Sequence, residues 1–299
     1  MQQSVGHQVR LTGAGMLFAL LWGSASTVAK IGLDHAQPLV IAVIRFLMAG
    51  LLMVILSHVL LKHRLPHKKE WRQLVAYGLL NISIFMGMYY FALQYVAAGL
   101  ATLTLSTSPI FISLLTSLWL QKPLKIRVIY SLLLCTAGVA IAGYPLLQHS
   151  YASPGGLIIL LLAILSYAAG SVYFALNKWK DLTLLTINSW QTLFGGLFLI
   201  PALLVFYEPA KNNWNVYSVG SIIWLSIMVS FVAVRLWLFL LSDHPIRGSF
   251  WLFLCPVVGF SFASVLLQEP ISIFTFAGLT LVITGVYLIQ KHQNKLLKE

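Results

Sequence analysis

Apolar residues in this 299-residue chain come in long runs separated by short polar turns. Each run is about 20 residues, the length that crosses hydrocarbon as an α-helix. The pattern predicts ten spans, at roughly 12–32, 38–61, 72–93, 97–120, 126–146, 155–177, 183–206, 218–241, 247–268 and 271–290. Several turns carry a proline, including Pro38, Pro66, Pro123, Pro154, Pro209, Pro245 and Pro270. No turn is long enough to fold as a separate domain. A membrane barrel would show alternating strands of about 10 residues, which these runs exclude. The fold class expected is an all-α membrane protein with ten transmembrane helices.

Composition agrees. Hydrophobic residues make up 59% and charged residues 9%, against about a quarter charged in a soluble domain. The formal charge of +12 would suggest nucleic acid in a soluble protein. Here the positive residues fall in short loops, and no soluble segment could form a reading module, so no nucleic-acid partner is expected. Cys135 and Cys255 lie inside spans and form no ligand cluster, so no metal and no cofactor is expected. Lysine and arginine fix orientation. With the N-terminus cytoplasmic, 15 of them fall inside and only Lys30 and Lys211 outside, while Arg45 and Arg235 lie within spans. Both termini are therefore expected inside. Arg10, "MLFALLW" and "SAS" at 24–26 have the look of a signal peptide. The apolar sequence continues through "TVAKIGL", however, and cleavage would leave nine spans, so the first span is expected to stay.

Two turns repeat. "LQKP" occupies 120–123 and "LQEP" occupies 267–270, a shift of 147. The same shift sets Pro109 on Pro256, Ile126 on Ile273 and Gly138 on Gly285. The front parts align more weakly, "LLWGSAS" against "ILSYAAG" and "IRF" against "WQTLF". The chain thus divides into 1–147 and 148–299, with five spans each. Five is odd, so the second half is expected to be inverted relative to the first. Inverted repeats place a site near the midplane, between the halves, which rocking opens to either side. On this reading Lys122 suits the cytoplasmic end of span 4, and Glu269 is a structural residue free to stand at the outer end of span 9.

Several stretches carry a family resemblance: "LLWGSASTVAKIGL", "IAVIRF", "TSPIFISLLTSLWLQKPL" and "CPVVGFSFASVLLQEPISIFTFAGLTLVITGVYLI". They resemble the EamA-type transporters of the drug/metabolite transporter superfamily along nearly the whole chain. The resemblance implies two inverted five-helix bundles and a cavity lined mainly by spans 1, 3, 4, 6, 8 and 9. It implies a bacterial cytoplasmic membrane, lipid around the protein, and a small-molecule substrate. Members mostly export amino acids and other small metabolites, and some import vitamins or nucleotide-like compounds. The family's glycine-glutamate after span 4 is replaced here by Gln121-Lys122.

Candidate site residues follow from polarity within spans. Arg235 in span 8 is either an anchor for a substrate carboxylate or phosphate, or a side chain snorkelling to headgroups. Arg45 in span 2 is expected to be structural, bound to helix-end carbonyls or Asp34. Trp22 is either a flat cavity wall or a packing residue, and Gly23, Ser24 and Ser26 permit close helix approach. Asn81 is either interhelical glue or part of a binding wall with Phe85, Met88 and Tyr89. Pro109 and Pro256 are expected to kink spans 4 and 9, freeing carbonyls of Leu105 and Leu252 beside Ser106 and Ser108. Tyr167, Ser171, Tyr173, Trp237, Ser249 and Trp251 are further aromatic or hydroxyl candidates.

No carboxylate lies deep in any span, so a central proton relay is not supported. The expected function is secondary transport by alternating access, with efflux of amino acids or related compounds. Import of a vitamin or nucleotide-like metabolite is the alternative within transport. A membrane-embedded enzyme would need converging catalytic groups within the spans, and none is found. A structural membrane protein would not need the repeat. A monomer or weak homodimer is expected.

Overall fold

The structure, a computed structural model, describes residues 2–121, 126–149, 151–179, 181–243 and 251–296. Lys122, Pro123, Pro245, Arg247 and Ser249 lie outside the described residues. Ten helices account for the predicted spans. They are α1 (Gln2–Leu33), α2 (Pro38–Leu60), α3 (Lys68–Leu93), α4 (Ala98–Trp119), α5 (Ile126–Gln148), α6 (Pro154–Leu176), α7 (Leu184–Phe206), α8 (Val216–Leu240), α9 (Trp251–Leu267) and α10 (Ile273–Leu296). The first eight contain apolar stretches long enough to cross a membrane, whereas α9 and the apolar part of α10 are shorter. Apolar side chains such as Trp119, Leu204, Val205 and Val216 stand exposed on the outside. Lipid, rather than water, is the solvent that tolerates such a surface.

Local sequence sets the helix ends. Pro38 and Pro154 open α2 and α6, where the missing N–H costs nothing. Ser153 caps α6 by accepting from Gly156, and Asn215 caps α8 by accepting from Tyr217 and Ser218. The structure refines two expectations about proline. Pro109 does interrupt α4, which breaks at Ser106–Thr107 between Ala98–Leu105 and Ser108–Trp119. Pro256 instead sits in the first turn of the α-helical part of α9, Leu254–Leu267, after a tight turn at Trp251–Phe253. The two repeated glutamines share a conformation: Gln121 and Gln268 both have left-handed backbone, with φ of 50° and 55°.

Packing repeats under a shift of five helices. Helix α1 packs on α8 and α9, and its counterpart α6 packs on α3 and α4. The pairs α2–α7 and α5–α10 are each their own counterpart. At the α5–α10 crossing the backbones nearly touch: a Cβ on Gly138 would lie 2.7 Å from the Gly278 carbonyl. Only glycine permits that approach.

The loops after α1, α3, α5, α7 and α9 gather on one face. Gln37 accepts from the Asn212 side chain at 2.9 Å, Ser153 donates to the Tyr95 carbonyl at 2.9 Å, and Lys30 donates to the Val96 carbonyl at 2.6 Å. On the opposite face Gln73 donates to Asn177 and Ser57 bonds Thr186.

Candidate functional site

Helices α3 and α8 are counterparts, and both leave regular α-geometry midway. Residues Leu79–Ile84 of α3 and Trp224–Ala233 of α8 form wider π-helical turns. Such turns shift the hydrogen-bond register and often accompany functional sites. Each presents a polar side chain inward: Asn81 from α3 and Ser230 from α8. They line a cavity of about 340 Å³ to which both halves of the chain contribute. The volume falls at the small end of the range for small-molecule sites.

Two polar clusters line it. The first is built on Arg45 of α2, which is 6% exposed. Its Nε donates to the Ser230 hydroxyl at 3.0 Å and its Nη1 to the Tyr90 hydroxyl at 2.7 Å. Its guanidinium carbon also lies 4.9 Å from the ring centre of Phe46 and 5.9 Å from that of Tyr90. The second is a run of amides. Asn81 donates to Gln191 Oε1 at 3.0 Å, and Gln191 Nε2 donates to Asn188 Oδ1 at 2.6 Å. These are counterpart pairings, α2 to α8 in the first and α7 to α3 in the second. Only the first carries a charge. A third, hydroxyl cluster joins α1, α3 and α4, with Ser26 2.5 Å from the Tyr89 hydroxyl and accepting from Thr102 at 2.7 Å.

The remaining wall is aromatic and aliphatic, including Trp22, Phe85, Tyr167, Trp237 and Phe253. Phe85 and Tyr167 bring α3 and α6 together with ring centres 4.9 Å apart. Among the described residues that line the cavity, Arg45 is the single one with a formal charge.

Of the predicted candidates, Trp22, Asn81, Tyr89, Ser106, Ser108, Pro109, Tyr167 and Pro256 line this cavity. So does Trp237. The Ser106 hydroxyl folds back onto the Thr102 carbonyl at 3.0 Å. Ser24 does not line it: buried at the α1–α8 contact, it donates to the Leu21 carbonyl and accepts from Trp224. Nor does Trp251, whose indole covers Gly15 within the cluster around Phe18 and Leu240. The two arginines differ in placement, and that of Arg235 fits the snorkelling alternative. Arg235 is exposed and outside the lining, although Val234 and Trp237 beside it are within it. One step along a helix turns the side chain by about 100°, enough to take it off the cavity face. Arg45 instead lines the cavity, and its partners are hydroxyls rather than Asp34 or helix-end carbonyls.

Glu269 is structural, as expected, through a contact that the turn alone does not reveal. It is 5% exposed and turned inward, where Oε1 and Oε2 accept from the backbone N–H groups of Ala98 and Gly99. It therefore caps α4.

Lining residues also come from α2, α7 and α10, beyond the six spans that the resemblance implied. Residues that sequence reasoning passed over include Tyr90, Asn188, Gln191 and Ser230, and Ser26 was read only as a small packing residue. One signal was present: "WQTLF", holding Gln191, aligns with the arginine segment "IRF".

Comparison with known proteins agrees with this architecture. The model of the EamA-like transporter family matches the chain twice, at residues 12–144 and 154–290. An uncharacterized transporter, YvbV, of Bacillus subtilis is 27% identical over 94% of this chain and 93% of its own length. Protein PecM of Dickeya dadantii is 29% identical over 90% of this chain and 89% of its own. The uncharacterized inner membrane transporter YedA of Escherichia coli K12 is 27% identical over 92% and 89%. A protein crystal structure superposes with a TM-score of 0.64 over 96% of this chain and 99% of its own, at 15% identity, which supports the fold alone. With ten helices, two matching halves and a cavity between them, the chain belongs to the EamA-like transporter family of the drug/metabolite transporter superfamily, as a multi-pass integral membrane transporter and not an enzyme.

Proposed function

We propose that the protein exports amino acids or related small metabolites by alternating access of its central cavity. The observation that carries this reading is the cavity itself, about 340 Å³ and lined from both halves of the chain. Rocking of two inverted halves, 1–147 and 148–299, opens such a site to either side in turn. Topology follows from charge. The loops after α2, α4, α6 and α8, with the starts of the helices that follow them, carry 11 of the 19 lysines and arginines, which supports both termini in the cytoplasm. The face where Gln37, Val96, Ala152, Asn212 and Glu269 gather is then the outer one. Among the described residues that line the cavity there is no aspartate, glutamate, lysine or histidine. Coupling through a central titrating group therefore has no support among these residues, which leaves facilitated diffusion, or coupling through Glu269 or the substrate's own charge.

Counterflow in proteoliposomes tests the reading. Purified protein is loaded with a pooled panel of unlabelled amino acids, nucleotides and vitamins, and uptake of each labelled compound is followed. Exchange of one or more amino acids is the expected result. Absence of exchange for every compound, with folded protein confirmed, would count against carriage. Release of the exchanged compound into the medium on overexpression tests direction.

A further inference from the structure

We infer that Arg45 is the specificity-determining residue of the cavity, and that it selects substrates bearing a carboxylate together with an N–H donor. The inference deepens the carrier reading and takes from it only that the cavity's ligand is the transported molecule.

Charge is the first argument. A guanidinium inside a membrane protein is stable only when paired, or when it faces a water-filled cavity. Arg45 is 94% buried by its 6% exposure, and it faces the cavity. Its hydrogen-bond partners are two neutral hydroxyls, of Ser230 and Tyr90. No carboxylate of the described residues forms an ion pair with it or lines the cavity. Guanidinium carries five N–H donors in a planar fork. Two are held by the hydroxyls, which fix the plane of the group and leave donors for a planar anion. Carboxylate matches that geometry.

The second argument is independent of charge. The amide cluster runs in one direction, Asn81 to Gln191 to Asn188. That leaves Asn81 Oδ1 as a buried acceptor with no partner, on a residue 8% exposed that lines the cavity. Buried acceptors are ordinarily satisfied, and an exception at a cavity wall marks a place for a ligand donor. The two clusters occupy counterpart positions in the two halves, so a ligand between them meets a cation from one and an acceptor from the other. Phe85 and Tyr167 between the helices offer the apolar body of the ligand a surface.

Equilibrium binding to the purified full-length protein tests this, read by fluorescence of the cavity tryptophans Trp22 and Trp237. Three probes share one aromatic body: N-acetylphenylalanine as the anion, its neutral carboxamide, and the phenethylammonium cation. A fourth, 3-phenylpropanoate, keeps the carboxylate and lacks the N–H. The anion is expected to bind about tenfold or more tightly than the carboxamide, as a charge-assisted hydrogen bond requires. The cation is expected to bind least. Arg45→Gln erases the preference between anion and carboxamide, and Arg45→Lys keeps part of it. Asn81→Ala removes the advantage of N-acetylphenylalanine over 3-phenylpropanoate while leaving the preference for anions.

Equal binding of anion and carboxamide by the unaltered protein, absence of anion binding, or an unchanged preference in Arg45→Gln would overturn the inference. The first two readouts need no variant, so a folding defect in Arg45→Gln does not remove the test. Anion preference without counterflow would count against carriage and leave Arg45's role standing. Counterflow without anion preference would do the reverse.

Discussion

The carboxylate of Glu269 holds the backbone of Ala98, 171 residues earlier in the chain, with Oε1 accepting its N–H at 2.6 Å. Oε2 accepts the next N–H, of Gly99, at 3.1 Å. These donors open α4, where a helix cannot satisfy its own first N–H groups. A negative charge there also faces the positive end of the helix dipole. The contact ties the turn after α9 to the start of α4, beside Lys30, which holds Val96.

Glu269→Ala leaves two buried donors unpaired. The expected loss is about 2–4 kcal/mol of stability, seen as a lower unfolding temperature in detergent. Glu269→Gln keeps one acceptor oxygen and is expected to lose about half as much. An unfolding temperature of Glu269→Ala equal to that of the parent would show that the cap contributes nothing.

The left-handed glutamines give a prediction of the opposite sign. A residue with a Cβ is strained in that region by about 1 kcal/mol, and glycine is not. Gln268→Gly is therefore expected to raise stability by roughly 0.5–1 kcal/mol, less the exposed bond that Gln268 makes to the Val265 carbonyl. Gln121→Gly is expected to behave alike. A drop in the unfolding midpoint for both would show that the conformation is not strained.

Arg235 is exposed on α8 and lies off the cavity. Arg235→Gln is expected to leave counterflow rates within about twofold of the parent, as exposed substitutions usually do. Abolished exchange in a folded Arg235→Gln protein would restore Arg235 as a binding residue.

Gly138 has no room for a side chain against Gly278. Gly138→Leu is expected to separate α5 from α10 and to cost about 3 kcal/mol or more, read as aggregation or early unfolding. Gly155, with open space around its Cβ position, is the control. Gly155→Ala is expected to change the unfolding temperature little.

Most of the architecture was legible in the sequence because a membrane imposes it. Hydrocarbon thickness sets the length of each apolar run, so ten runs declare ten helices. The turns "LQKP" and "LQEP" declare the repeat, and their shared glutamine proves to hold the same left-handed backbone in both. Lysine and arginine in alternate loops support a topology. Trp22, Asn81, Tyr89 and Tyr167 were also readable as cavity candidates, since polar and aromatic side chains deep in a span usually turn inward.

What hydropathy does not encode is rotation about a helix axis, and there the tertiary structure decided. Arg45 and Arg235 are alike in sequence, each a single cation in an apolar span. Packing of α2 against α7 and α8 turns Arg45 toward Ser230 and the cavity, while α8 packs so that Arg235 faces out. Glu269 is the same case at a helix end. A carboxylate in a turn reads as solvent-facing until another helix places its unpaired N–H groups within reach. Such pairings join residues more than 100 positions apart, so they exist only once the two halves have come together.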